Sequence, residues 1–230
     1  DYALFNARSA SQNVAIGESA LGSDSTGNLN VAIGAGAMDQ RLRGNENVGI
    51  GFWAGRADTA SVNSVYVGSQ AGYNNNRSST VAIGYKALYN NSVGATVAQA
   101  LNNVAIGTSA LSANTLGSSN TAVGNSALIG NISGSQNTSM GYLSNVSASN
   151  LVNATAIGAN AFVAQSNTMV LGSINGVNSA TADTKVGIGT TTPDSTFSVA
   201  DKFLVGSSGT VQYDNTVPVM NYMFKSGGSN

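Results

Sequence analysis

The chain contains no cysteine and no histidine. Without cysteine there is no disulfide framework, no thiolate nucleophile and no soft-metal site. Without histidine there is no Ser/His/Asp or Cys/His triad and no zinc site of the usual ligand types. Charge is scarce too: only 8% of the 230 residues are charged, nine basic against ten acidic, where a typical soluble protein carries about 25%. No block of like charge draws the chain to nucleic acid or to acidic lipid. No run of about 18 apolar residues could span a bilayer, so no membrane insertion is expected. The opening stretch DYALFNARSASQ lacks a basic-then-apolar leader and reads as part of an excised or processed longer chain.

What is present is small and repetitive. Hydrophobic residues make up 42% of the chain but aromatics only 7%, so Ala, Val and Ile supply most of the apolar content and Asn, Ser, Thr and Gln must keep it in solution. A phrase of the form N-V-A-I-G-x-x-A-L recurs with its glycine at Gly17, Gly34, Gly51, Gly68, Gly84, Gly107, Gly124, Gly141, Gly158, Gly172 and Gly189. The spacings are 17, 17, 17, 16, 23, 17, 17, 17, 14 and 17, which marks a stacked repeat architecture.

Each column of the repeat has a physical reading. The residue before the glycine is Ile16, Ile33, Ile50, Val67, Ile83, Ile106, Val123, Met140, Ile157, Leu171 and Ile188; two places earlier stand Val or Thr in all but one copy. Residues two apart on a strand share a face, and this face is expected to be the buried core of the repeats. The residue between them is mostly Ala, Gly or Ser, with Tyr66 as an exception, and is expected to lie against a neighbouring chain. The glycine itself supplies a conformation or a close approach that a Cβ would forbid. Three residues on comes a second small column, Ala20, Ala37, Ala54 and onward, often followed by a larger residue such as Leu21, Met38, Leu88, Leu111 or Leu128. The remainder of each repeat, Gly/Ser/Asn/Thr-rich, reads as an outer turn.

Asn13, Asn30, Asn47, Asn103, Asn120 and Asn137 stand four places before their glycines. They either form a ladder with amides bonded along the stack, as identical side chains do in cross-β assemblies, or merely tolerate a turn. The acids are scattered, mostly in predicted turns, with no recurrent pair of the kind a glycosidase needs. Gly34-Ala35-Gly36 belongs to the repeat and lacks a P-loop lysine. No catalytic residue, metal site or cofactor is expected; calcium held by turn carboxylates is the one metal alternative, and the Asp-rich repeat signature for it is missing. Phe52 and Tyr85 stand one place after their glycines, Trp53 two places, and Tyr73 and Tyr89 share another column on consecutive repeats. As stacked exposed rings they are candidate contacts for sugars or a partner protein; the alternative is that they pack on one another or on the insertion around Gly94 to Ala100.

NVAIGESAL, NVAIGAGAM, NVAIGTSAL, NTAVGNSAL and TAIGANAFVAQSNTMVLG resemble the head repeats of trimeric autotransporter adhesins, the YadA-like β-roll, and related repeats of bacterial surface proteins and phage-type tail fibres. The resemblance covers residues 13 to 189. It implies an all-β, left-handed parallel β-roll or β-solenoid of about 17-residue repeats in an intertwined homotrimer, with longer outer turns than the 14-residue adhesin form. The expected organisation is a lead-in segment at 1–12, the β-roll at 13–189 and a small β-rich C-terminal neck or cap at 190–230. Within that neck Pro193 and Pro218 break the pattern and KFLV-GSSG-TVQY reads as a hairpin.

The expected function is therefore non-catalytic: an extracellular fibre segment, shaft or head, on a bacterial cell surface or a phage-like particle, in contact with a cell-surface glycan or protein receptor. Two alternatives are a structural spacer in a phage or contractile-injection tail fibre, and an ice- or polysaccharide-binding solenoid. The last needs a flat Thr or aromatic array, and the columns show no outer Thr ladder.

Overall fold

A computed structural model describes residues 2–40, 43–96 and 98–193 and the backbone of strand 197–199. Short strands recur at the V-A-I phrase of each repeat: β1 (Val14–Ile16), β2 (Val31–Ile33), β3 (Val48–Ile50), β4 (Val65–Val67), β5 (Val81–Ile83), β6 (Val104–Ile106), β7 (Thr121–Val123) and β8 (Thr138–Met140). After β9 (Asn145–Val146) come β10 (Thr155–Ile157), β11 (Phe162–Val163) and β12 (Met169–Leu171), then β13 (Val186–Ile188) and β14 (Phe197–Val199). Ten of them form one parallel sheet in the order β1-β2-β3-β4-β5-β6-β7-β8-β10-β12. Register is column on column, as in Val14↔Val31 and Ile16↔Ile33. The chain is a parallel β-solenoid; nine steps at about 4.8 Å give a stack on the order of 45 Å.

Parallel strands need a crossover, and here the crossover is the rest of the coil. The repeat glycine turns the chain: Gly17 has φ +124° and Gly34 +127°, and a Cβ on Gly17 would stand 2.6 Å from the carbonyl carbon of Gly34. Glycine lies on glycine down the stack, so both the positive φ and the approach of the next coil demand it. Beyond the turn a second wall is laddered by backbone bonds from coil to coil, Leu21 N–H to Ala37 O at 3.0 Å and Leu111 N–H to Ala127 O at 2.8 Å. Its larger residues sit in the left-handed region, Leu21 at φ 51°, Leu88 at 49° and Leu128 at 50°. An isolated residue rarely adopts that conformation without strain, and here the backbone bonds on both sides of each coil hold it.

The two faces of the sheet are the reverse of the expectation. The small column points into the coil: Ala32, Tyr66, Ala82, Ala105, Ala122 and Ser139 are fully buried against the chain's own Ala/Leu wall. The column expected as core points outward. Ile16 is 58% exposed, Ile106 38%, Met140 49% and Ile188 54%; Ile50, Ile83 and Leu171 are exposed too, while Ile33, Val67, Val123 and Ile157 are half-buried. The cause is the width of the lumen. A Cβ added to Gly49 would meet Cγ of Met38 at 2.9 Å, so where the opposite wall carries its larger residue a β-branched side chain has no room inside and faces outward.

The asparagines form the ladder. Asn103 Oδ1 accepts the Asn120 N–H at 2.9 Å, and Asn120 Oδ1 accepts the Asn137 N–H at 2.9 Å. Their amides also close the coil's own turn, Asn120 Nδ2 donating to Gly134 O at 2.9 Å. A second polar column went unrecognised in the sequence. Asp24, Asp58, Asn75, Asn91, Asn114 and Asn131, each seven residues after its glycine, are fully buried. Asp24 and Asp58 are thus not turn-surface carboxylates, and they share a column two coils apart.

At the end of the stack β9 and β11 form a separate parallel pair, and β13 pairs with β14 outside the main sheet. The expected hairpin at residues 202–213 and Pro218 lie outside the described residues. Among the described residues no helix is long and apolar enough to cross a membrane.

Candidate functional site

The coils from β3 to β5 carry the aromatic residues singled out in the sequence, and the structure brings all five into one cluster. Trp53 and Tyr73 occupy successive coils, with a 16- or 17-residue step between equivalent positions, so the 4.8 Å stacking of backbones places their rings within contact distance. Phe52 stacks on Trp53 with centroids 4.2 Å apart and planes at 25°. Tyr73 meets the edge of Trp53 at 5.9 Å, and Tyr89 stacks on Tyr73 at 5.0 Å and 13°.

Two cations interleave with the rings, and the sequence reading missed both. The Arg56 guanidinium lies 5.1 Å from the Trp53 ring and 5.7 Å from that of Tyr73, donates to Tyr73 Oη at 2.7 Å, and stands 3.8 Å from an Asp39 carboxylate oxygen. The Lys86 ammonium is 5.1 Å from the Tyr85 ring and 5.4 Å from that of Tyr89. Such contacts are worth about 0.5–1 kcal/mol each at exposed sites. The signal was in the columns: Arg56 and Tyr73 each stand five residues after a repeat glycine, and Lys86 shares a column with Trp53. The rings therefore pack on one another, and the insertion is held elsewhere, by Arg77, whose guanidinium donates to the carbonyls of Gln99 (3.1 Å), Ala95 (2.7 Å) and Thr96 (3.0 Å). Phe52 and Tyr85 keep open faces, 44% and 47% exposed.

On the side of this cluster facing the first coils lies a cleft of about 260 Å³ lined by Glu18, Ser19, Ala35, Gly36, Asp39, Phe52 and Trp53. Gly36 creates it. It stands in the column otherwise filled by Ser19, Trp53 and Gln70, and a Cβ there would overlap Cδ1 of Trp53, so the indole leans over the preceding coil. The Glu18 carboxylate, the Ser19 hydroxyl and the Trp53 indole N–H have no hydrogen-bond partner among the described residues.

The outer strand face is the second candidate surface. Besides its Val and Ile columns it presents Thr121, Thr138 and Thr155 in register on three adjacent strands, a short threonine run that the sequence columns were read as lacking. Among the described residues no group of three or more acidic side chains lies close enough to hold a metal ion.

Fold and surface together define a β-solenoid repeat protein with an exposed apolar sheet face. No family model, curated protein or solved structure matches the chain.

Proposed function

We propose that the chain is a non-catalytic segment of an extracellular fibre, on a bacterial surface or a phage-like particle, that assembles as a homotrimer and presents its aromatic coils to a receptor. The observation that carries this is the outer face of the ten-stranded sheet. Its largely apolar columns, with threonine at the first position of β7, β8 and β10, run along the stack, with Val14, Ile16, Ile50, Ile83, Ile106, Met140, Met169 and Leu171 all exposed in the single chain. Soluble monomers seldom leave a contiguous apolar patch of more than a few hundred Å² uncovered, and a straight, regularly spaced face is best covered by copies of itself. Each chain closes its own lumen, so assembly adds a second core and does not complete the first. The trimer, rather than another number of copies, rests on the likeness to adhesin-head repeats.

A spacer role has its own support in the coils of β6 and β7, which carry the same inward residues, Ala105 and Ala122, Leu111 and Leu128, Asn103 and Asn120, and no aromatic residue. One chain can serve as both, with a uniform shaft below and a contact face above.

Light scattering on the purified chain tests the assembly. A mass near three times 23.0 kDa is expected. Ile106→Asp should give a monomer that keeps its β-rich circular dichroism, because Ile106 lies outside the chain's own core and a charge is costly only where the partner chains would bury it. A wild-type monomer, or an Ile106→Asp trimer of unchanged thermal midpoint, refutes the assembly.

A further inference from the structure

The geometry points to the cleft between the first three coils as a binding site for a single neutral hexose unit, such as the end of a surface glycan. It deepens the receptor-contact reading above and rests on it for its biological setting, but its residues all belong to one chain.

Three features select that ligand. The first is the mixture of hydrogen-bonding groups. Glu18 offers an acceptor, Ser19 a hydroxyl that both donates and accepts, and Trp53 an indole donor, all without protein partners among the described residues. A sugar ring carries hydroxyls that donate and accept and so satisfies all three, whereas an ammonium or guanidinium group has donors only and leaves the indole unanswered. The second feature is the exposed Phe52 ring beside them, a flat apolar surface on which the C–H face of a pyranose can lie. Trp53 cannot be that platform, since Phe52 covers one face at 4.2 Å and Arg56 lies over the ring at 5.1 Å. Its part is the N–H at the edge.

The third feature is charge. Glu18 and Asp39 both line the cleft; the Asp39 carboxylate is faced by Arg56 at 3.8 Å, and among the described residues Glu18 has no cation against it. The Glu18 carboxylate repels the acid group of a sialic or uronic unit, which favours neutral sugars. The volume, about 260 Å³, falls just below the range for drug-sized ligands and suits one ring.

The protein carries its own reporter, because Trp53 is its single tryptophan. The full chain would be titrated with methyl glycosides of glucose, mannose and galactose, followed by tryptophan emission and by saturation-transfer NMR of the sugar protons. At least one glycoside is expected to bind saturably, with an affinity indifferent to added salt. Glu18→Gln and Phe52→Ala should each weaken it roughly tenfold or more while leaving the light-scattering mass and thermal midpoint unchanged. Absence of binding by all three glycosides in both measurements overturns the proposal. So does saturable binding of N-acetyl-lysine methylamide in their place, lost at high salt, which would mark a site for a cationic side chain of a protein. Failure of the fibre reading shows separately, as a monomeric mass with the sugar site intact.

Discussion

The coils around β4 and those around β7 solve the same packing problem with different residues. Around β7 the lumen is filled identically at every step: Ala105 and Ala122 from the strands, Leu111 and Leu128 from the opposite wall, Asn103 and Asn120 at the corner, all fully buried. Around β4 the strand contributes Tyr66, the opposite wall contributes Gly55 and Gly72 in place of Leu, and the corner carries Ser64 and Thr80 in place of Asn. A Cβ on Gly55 would stand 2.5 Å from Tyr66 Cδ2, and one on Gly72 would overlap Cδ1 on the other edge of the ring. The phenol reaches the polar column, donating to Asp58 at 3.2 Å and accepting from Asn75. What the fold conserves is therefore the summed volume of the lumen and the satisfaction of its polar groups, not the identity of a column.

The strongest way to break the comparison is to put the regular wall against the irregular strand. Gly72→Leu should prevent folding of the middle coils, since the new side chain coincides with the Tyr66 ring. Tyr66→Ala alone leaves a void and should cost about 3–5 kcal/mol. The triple change Tyr66→Ala, Gly55→Leu, Gly72→Leu rebuilds the β7 pattern. The left-handed position is open to Leu, as Leu88 at φ 49° shows. Urea denaturation should find the triple variant more stable than either single change; if it is the least stable of the three, volume exchange between columns is the wrong account.

A smaller effect distinguishes the two corners. Asn120→Ala removes the acceptor of the Asn137 N–H and the donor to Gly134, leaving buried groups unanswered at about 1–3 kcal/mol. Ser64→Ala should cost less, because the Ser64 hydroxyl accepts the Thr80 N–H over a longer 3.3 Å. Equal midpoint losses on thermal denaturation would deny the ladder any special role in the regular coils.

Much of this was legible before the structure. The glycine column located the main-sheet strands, because period and strand length are local properties. The direction of the strand faces was not legible. A period of two shows that Val14 and Ile16 share a side but not which side is narrow, and the usual inference from apolar to interior fails where a solenoid has an apolar face on both sides. Tyr66 was visible as an intruder in a small column; the signal that would have placed it inside was the pair of glycines missing their leucines at 55 and 72. The Asn75–Asn131 column was hidden because Asn in a Ser/Gly-rich turn looks like solvent-facing turn chemistry, and burial there depends on a closed coil. The ring cluster was half legible. Column spacing brought Tyr73 and Tyr89 together, while Arg56 and Lys86 were lost among scattered charges.

The finest test of the comparison uses pH. Burial, with the nearby Asp58 carboxylate adding to it, pushes the Tyr66 phenol well above its ordinary value. In the unfolded chain the same phenol titrates near pH 10. A group whose folded pKa is raised contributes stability that is fully present below its unfolded value and is lost as pH rises through the window between the two. The wild type should thus lose stability progressively above about pH 10, and Tyr66→Phe, which is less stable at neutral pH for want of the phenol's hydrogen bonds, should lose less over the same interval. Urea midpoints for the two proteins should converge as pH rises. Parallel curves would mean that Tyr66 is reached by solvent at alkaline pH before the coils open, and that the β4 lumen is looser than the β7 lumen it replaces.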